Sequence, residues 1–246
     1  TTVVERRIGD AVSDREQQRL VILGAGTGGT LAANRLRKKF KEDRLRIDIV
    51  DQDNRHVYQP GLLFVPFGLT EPDEIVRKRD RQLKKGIHYH QSAIESVDIE
   101  ANSVALQEGT TLDYDVLLVA TGARLLPEET EGLTGAGWNE RVFTFYDLPG
   151  ATALHDALAD FEGGRLVVNV VDMPIKCPVA PLEFCFLTDW YLQERGIRDE
   201  VELTYVTPLD GAFTKPTASA ALSGMLEEKG VHLVTEFNTG EVDGLG

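Results

Sequence analysis

Cysteine is almost missing from this 246-residue chain: Cys177 and Cys185 are its only two. A disulfide scaffold is thereby excluded, and a reducing, cytoplasmic compartment is expected. Long apolar runs are missing as well. No stretch approaches the ~18 uninterrupted apolar residues of a membrane-spanning helix, and residues 1–18 lack the apolar core of a secretory signal. The five histidines, His56, His88, His90, His155 and His232, share no metal-ligand spacing and have no cysteine beside them, so no metal site is expected. His56, close in sequence to Tyr58-Gln59-Pro60, could move protons, but it reads rather as a surface or hydrogen-bonded side chain. Positive charge is scarce in the later part, where residues 86–246 hold 8 Lys and Arg against 27 acids, whereas residues 1–85 hold 18 against 13. Such a surface repels nucleic acid and anionic lipid, and it also suits a salt-adapted protein. The basic run from Arg77 to Lys85 could attract phosphates, but it reads rather as a solvated helix end.

What is present is a regular α/β order. With 42% hydrophobic residues the chain can bury one large core or two modest ones. Residues 1–18 read as a flexible tail. Leu20–Leu23 is a short apolar run of the kind that fills a buried parallel strand. From Thr30, Ala32, Ala33, Leu36 and Phe40 recur at helical spacing, and Leu45–Val50 gives a second strand ending in Asp51. A polar segment and a shorter helix over about 72–85 are expected next. Ile87–Val97 and Ser103–Leu106 alternate like antiparallel strands, and the run Val116–Val119 follows. A second cycle then reads as a helix near Pro149–Phe161, a strand at Leu166–Val171, a helix from Pro181 to about Glu194, and a strand at Val201–Val206. A last helix opens near Pro216 and ends at Gly230, before a strand at Val231–Val234. The expected fold class is α/β, with tandem Rossmann-like dinucleotide-binding domains at 19–124 and 125–246.

Gly24-x-Gly26-x-x-Gly29 follows a predicted strand, opens a predicted helix and precedes an acidic strand end 22 residues later. Gly24 permits the tight turn, Gly26 lets a pyrophosphate approach the backbone, and Gly29 lets helix and strand pack closely. The free N–H groups at the helix N-terminus favour phosphate. Asp51 would accept hydrogen bonds from the adenosine ribose, which argues for FAD or NAD rather than NADP.

The run Leu117-Leu118-Val119-Ala120-Thr121-Gly122-Ala123-Arg124 resembles the second FAD motif of two-dinucleotide-domain flavoproteins. That resemblance implies that Thr121 and Gly122 lie against the cofactor, that backbone around Ser92-Ala93 meets the adenine, and that the first site holds FAD.

In NADH-dependent members of that superfamily the second domain has its own glycine-rich turn after its first strand. Here that place reads Asp172-Met173-Pro174-Ile175-Lys176-Cys177-Pro178-Val179-Ala180-Pro181, with three prolines and no glycine. A pyrophosphate could not settle on such a backbone. The next strand ends Tyr205-Val206-Thr207-Pro208, without an acid for a ribose. Cys177 stands in the vacated position, between Lys176 and a helix N-terminus, both of which favour thiolate. An inert structural cysteine is the alternative. Cys185, amid Leu182, Phe184, Phe186 and Leu187, reads as core.

With Tyr58-Gln59-Pro60-Gly61-Leu62-Leu63, the Cys177 segment resembles the sulfide:quinone oxidoreductase and flavocytochrome c sulfide dehydrogenase family over essentially the whole chain after residue 18. The resemblance implies that Cys177 and Gln59 lie near the flavin ring. It further implies that Cys177 relays sulfur from sulfide while two electrons pass through the flavin to a quinone. Full-length members of that family add a third FAD motif, a second active cysteine and C-terminal segments that touch membrane and quinone. By that comparison the chain is C-terminally truncated, and the full-length protein sits peripherally at the inner membrane. A homo-oligomer stays open. The alternatives are an NAD(P)H-dependent flavin oxidoreductase such as a type II NADH dehydrogenase, and a non-catalytic FAD-binding fragment.

Overall fold

A computed structural model describes residues 17–245. Positions 1–16 of the expected tail lie outside the described residues, and Gln18 already belongs to a strand. In chain order, β1 (Gln18–Leu23), α1 (Thr27–Lys39) and β2 (Leu45–Asp51) form the first βαβ unit. Then come β3 (Arg55–Val57), β4 (Val76–Lys78), β5 (Ile87–Gln91), β6 (Ile94–Asp98), β7 (Ser103–Leu106), β8 (Thr111–Asp113) and β9 (Val116–Val119). The remainder is α2 (Leu148–Asp160), β10 (Gly164–Asn169), α3 (Ala180–Glu194), β11 (Val201–Val206), α4 (Pro216–Glu228) and β12 (His232–Val234).

Tertiary contacts divide the chain into two units. One holds the described residues through His56 together with Arg77–Gly122, and the other holds Val57–Val76 together with the residues from Ala123 on. The first unit is built on a parallel four-stranded sheet in the order β5-β2-β1-β9. Its central strand β1 is apolar on both faces because both faces are covered. Leu20 and Ile22 pack with Ile47, Ile49 and Ala33 of α1, while Val21 and Leu23 pack with Val104, Leu106 and Leu112 of the β6-β7-β8 meander. Helix α1 ends in Arg37, Lys38 and Lys39, cations suited to the negative end of the helix dipole.

Two expectations fail between Pro72 and Gln91. No helix forms over 72–85. Short 3-10 turns at Pro72–Ile75 and Asp80–Gln82 flank the strand β4, which pairs with β3. The stretch has no apolar stripe for a helix to bury, since Ile75 and Val76 are adjacent and the next apolar residue is Leu83. Likewise Ile87–Gln91 is not antiparallel. It runs parallel to β2 as the outer strand, from Ile47↔Ile87 to Asp51↔Gln91. Ile87 and Tyr89 join the core beneath α1 while His88 and His90 face the other way, so an edge strand of a parallel sheet imitates antiparallel alternation. Beyond Gln91 the expected antiparallel pairing is present, in β6, β7 and β8.

In the second unit β10, β11 and β12 form a parallel sheet in that order. Asp147 caps α2 by accepting from Gly150 N at 2.7 Å, and Gly230, at φ +64°, terminates α4 in the left-handed region. Val57–Val76 belongs with this unit although the order of elements suggests a division near residue 124. The reason is packing. Phe67 is buried with its ring 5.1 Å from that of Phe184 on α3, Phe145 stacks on Phe184 at 4.7 Å, and Leu62, Val65 and Ile75 close over Ala151 of α2. Cys185 is fully buried in the same core, where burial pushes its thiol up to about 12.

Candidate functional site

All four parallel strands of the first unit end on one edge, and β1 lies between β2 and β9, so successive connections leave it in opposite directions. Ligands of open α/β sheets bind at such an edge. The turn after β1 carries three glycines with separable jobs. Gly24 sits at φ +98°, and a Cβ there would lie 2.3 Å from the Ala120 carbonyl oxygen. A Cβ on Gly29 would lie 1.9 Å from the Gly24 carbonyl oxygen. These two are glycine because backbone packs against backbone. Gly26 differs, since a Cβ there would meet no protein atom within 4 Å. Its face is open.

Helix α1 begins beside that open face with its N-terminal charge unanswered. Gly26 is its N-cap, no side chain caps the first turn, and no acidic residue stands in it. The first intrahelical bond runs from Thr30 N to Gly26 O at 3.0 Å, so the N–H groups ahead of it are available to an anion. An uncapped helix start under a glycine face fits the diphosphate of FAD.

Asp51 ends β2 and is half-turned into the protein. Its Oδ2 accepts from Ala25 N at 2.7 Å, which ties it to the glycine turn. Among the described residues its Oδ1 accepts no hydrogen bond. Ser92 N donates to Asp51 O at 2.9 Å, placing Ser92-Ala93 beside the strand end. The Ala93 carbonyl is taken by Gln107 N (3.0 Å) and by the Ser92 hydroxyl (3.2 Å). Any backbone offered to a ligand at Ala93 is therefore its N–H. Thr121 and Gly122 are exposed just after β9, with Gly122 at φ +76° and open around its Cα. The fold thus gathers Gly24, Gly26, Gly29, Asp51, Ala93, Thr121 and Gly122 on one edge of one unit.

A further residue belongs to this edge that the sequence pattern did not single out. Arg79, from the run read as a solvated helix end, is drawn in to 13% side-chain exposure. Its Nη1 donates to Ala25 O (2.8 Å) and its Nε to Asp53 O (2.9 Å), and the guanidinium lies 3.4 Å from Asp51 Oδ2. No period marks it among its basic neighbours, because its partners come from two distant strand ends. His56 is half-buried and its Nδ1 is shielded without a hydrogen-bond partner among the described residues, unlike the surface or hydrogen-bonded histidine expected.

In the second unit, β10 runs into a loop over 170–179 that carries an exposed Cys177. Cys177 takes φ +53°, a left-handed conformation that side chains beyond Gly and Asn rarely adopt. Its carbonyl accepts from Ala180 N at 3.0 Å, at the start of α3, and from the Tyr146 hydroxyl at 3.2 Å. Tyr146 is stacked on Phe145, which anchors it to the core. Burial first, then the neighbouring Cys177, pushes the Tyr146 hydroxyl well above its ordinary value and keeps it a donor. At the end of β11, Thr207 is buried and its hydroxyl accepts from Leu209 N at 3.2 Å, so this position offers no acid. Gln59 is exposed at the start of a 3-10 turn over Gln59–Leu63, and among the described residues no hydrogen bond joins it to Cys177. The described residues contain no cluster of His, Cys, Asp and Glu able to hold a metal, and no helix among them is long and apolar enough to cross a membrane.

Comparison with known proteins gives concordant relatives. The mitochondrial sulfide:quinone oxidoreductase of Dictyostelium discoideum is 28% identical over 94% of this chain and 53% of its own length. The solved sulfide:quinone oxidoreductase of Aquifex aeolicus superposes with a TM-score of 0.79 at 21% identity, covering 92% of this chain and 52% of that one. The NDH2 of Plasmodium falciparum in complex with NADH superposes with a TM-score of 0.66 at 15% identity, covering 93% and 50%. These likenesses establish the two-unit Rossmann-like fold, and the chain spans about half the length of the curated relatives it matches. The sequence model of the pyridine nucleotide-disulphide oxidoreductases matches residues 18–169, more than half of the chain, and on that ground the chain belongs to this family of FAD-dependent enzymes.

Proposed function

We propose that this chain is the FAD-binding and active-cysteine part of an enzyme that oxidises sulfide and reduces a quinone. Bound FAD supplies the two-electron relay between those substrates. The observation that carries the reading is the loop after β10, where an exposed Cys177 stands on a glycine-free, proline-rich backbone at the position a nicotinamide nucleotide would need. The names of the relatives point to the same pair of substrates.

The chain's own residues have definite parts in this reading. Gly26 and the first turn of α1 hold the diphosphate, Asp51 the ribose, Ala93 the adenine, and Thr121 with Gly122 the remaining backbone contact. Gln59 lies toward the ring. Cys177 in its thiolate form combines with hydrosulfide to give a Cys177 persulfide, releasing one proton and two electrons, and quinone is the terminal oxidant. Quinone is lipid-soluble, so the complete protein works at a membrane surface, which it reaches without a spanning helix from the described residues.

Anaerobic mixing of the full-length protein with sulfide, and separately with NADH, tests the reading through the flavin absorbance near 450 nm. Sulfide should bleach the flavin and NADH should not. Bleaching by NADH alone would identify the NADH-dependent branch of the family instead. Cys177→Ser should retain bound FAD and lose sulfide-driven bleaching, and full activity in that variant would remove Cys177 from the chemistry.

A further inference from the structure

We propose that Arg79 is a cofactor-positioning residue, whose guanidinium neutralises the acidic end of β2 so that the adjoining turn can accept the diphosphate of FAD. The glycine turn and the acidic strand end make opposite electrostatic demands. The turn must receive a doubly charged diphosphate, yet Asp51 Oδ2 sits 2.7 Å from Ala25 N, within that same turn. Asp53 adds a second carboxylate two residues on. Backbone N–H groups and a helix dipole supply only about half a positive charge, less than two carboxylates offset.

Arg79 supplies the missing cation at the right place. Its guanidinium is 3.4 Å from Asp51 Oδ2 and 3.5 Å from Asp53 Oδ1. It is held there by bonds to two carbonyls, Ala25 O at 2.8 Å and Asp53 O at 2.9 Å, from the two strand-end loops that form the site. At 13% and 14% side-chain exposure, Arg79 and Asp51 are shielded enough that salt screens them only in part. Asp53, at 47%, is the more screened partner. One residue therefore fixes the turn to the end of β2 and cuts the local negative charge from about 1.5 to about 0.5 before the cofactor arrives. An arginine suits both tasks, since its planar fork reaches several oxygens at once.

The test is FAD affinity of the apo form of the full-length protein, read by flavin fluorescence rather than by turnover. Arg79→Gln should weaken FAD binding at least about tenfold at low ionic strength, the scale of losing bonds to a charged group. Arg79→Lys, which keeps the charge but not the fork, should bind FAD more tightly than Arg79→Gln and less tightly than wild type. Raising the ionic strength from about 0.05 to 0.5 M should narrow the gap between wild type and Arg79→Gln, because the loss is electrostatic. A gap that salt does not change, or a lysine variant as weak as the glutamine one, would show that Arg79 acts by packing alone and overturn the proposal. Should Arg79→Gln fail to fold, Asp53→Asn probes the same balance from the other side. Removing one carboxylate should tighten FAD binding about twofold at low salt, and unchanged or weaker binding would overturn the proposal equally.

Discussion

The two glycines Gly29 and Gly26 should respond to the same substitution in different ways. In Gly29→Ala the new Cβ would fall 1.9 Å from the Gly24 carbonyl oxygen and 3.2 Å from Ile22 Cγ2. Neither neighbour is the free end of a flexible side chain. To reach ordinary contact the first turn of α1 must move away from β1 by roughly 1 Å or more, in an interior packed like a crystal. Overpacking of this kind costs about 1–3 kcal/mol, so the apo protein should lose several degrees of thermal stability and FAD affinity should fall with it. In Gly26→Ala the methyl meets nothing within 4 Å and the backbone sits at φ −71°, which alanine adopts freely. Replacing glycine by alanine at an N-cap costs about 0.5 kcal/mol, so the apo melting temperature should barely change. The methyl would fill the face proposed for the diphosphate, and FAD affinity should drop by about tenfold to a hundredfold, or ~1.4–2.8 kcal/mol. Melting curves of apo protein beside FAD titrations separate the two effects. Wild-type affinity in Gly26→Ala would refute the assignment of that open face to the cofactor. A fully stable Gly29→Ala would refute the packing argument.

Two other outcomes follow from the second unit. In the folded protein at pH 8, iodoacetamide should label Cys177 and leave Cys185 untouched, since burial holds the Cys185 thiol up at about 12; labelling of both in mass spectra would place Cys185 outside the core. Asp189 of α3 is 1% exposed and accepts from Lys229 Nζ at 2.7 Å and Arg198 Nε at 2.8 Å. Burial alone would raise its carboxyl, but those two cations hold it below the ordinary carboxylate value. A depressed folded value contributes stability that is present above pH ~4 and is lost as pH falls through the folded value. Asp189→Asn should therefore cost about 2–3 kcal/mol at neutral pH, less than a fully enclosed pair because both cations reach solvent. The difference from wild type should shrink below pH ~4 in urea denaturation, and a pH-independent difference would count against the ion-pair account.

The glycine turn, both βαβ cycles, and a glycine-free, proline-rich loop carrying a cysteine after β10 were legible in the sequence. Each is a local pattern, because apolar runs, helical spacing and glycine positions answer to the backbone's own geometry. Cys185 as core was legible for the same reason, since its neighbours in sequence are also its neighbours in packing. Other features depend on residues that only folding brings together. The stretch 72–85 became turns and a strand because Ile75 had a core to enter and no helical stripe to share. Residues Ile87–Gln91 became a parallel edge strand because β2 was there to pair with. The segment Val57–Val76 joined the second unit because Phe67 meets Phe184. Tyr146 at the Cys177 carbonyl, and Arg79 between Ala25 and Asp53, are set by contacts across 31, 54 and 26 positions of chain. The sequence by itself determined where the glycine turn and the cysteine loop stand in the order of elements. Only the tertiary structure decided which charges and hydroxyls stand beside them, because spacing along a chain carries no signal for partners that meet through a sheet edge or a core.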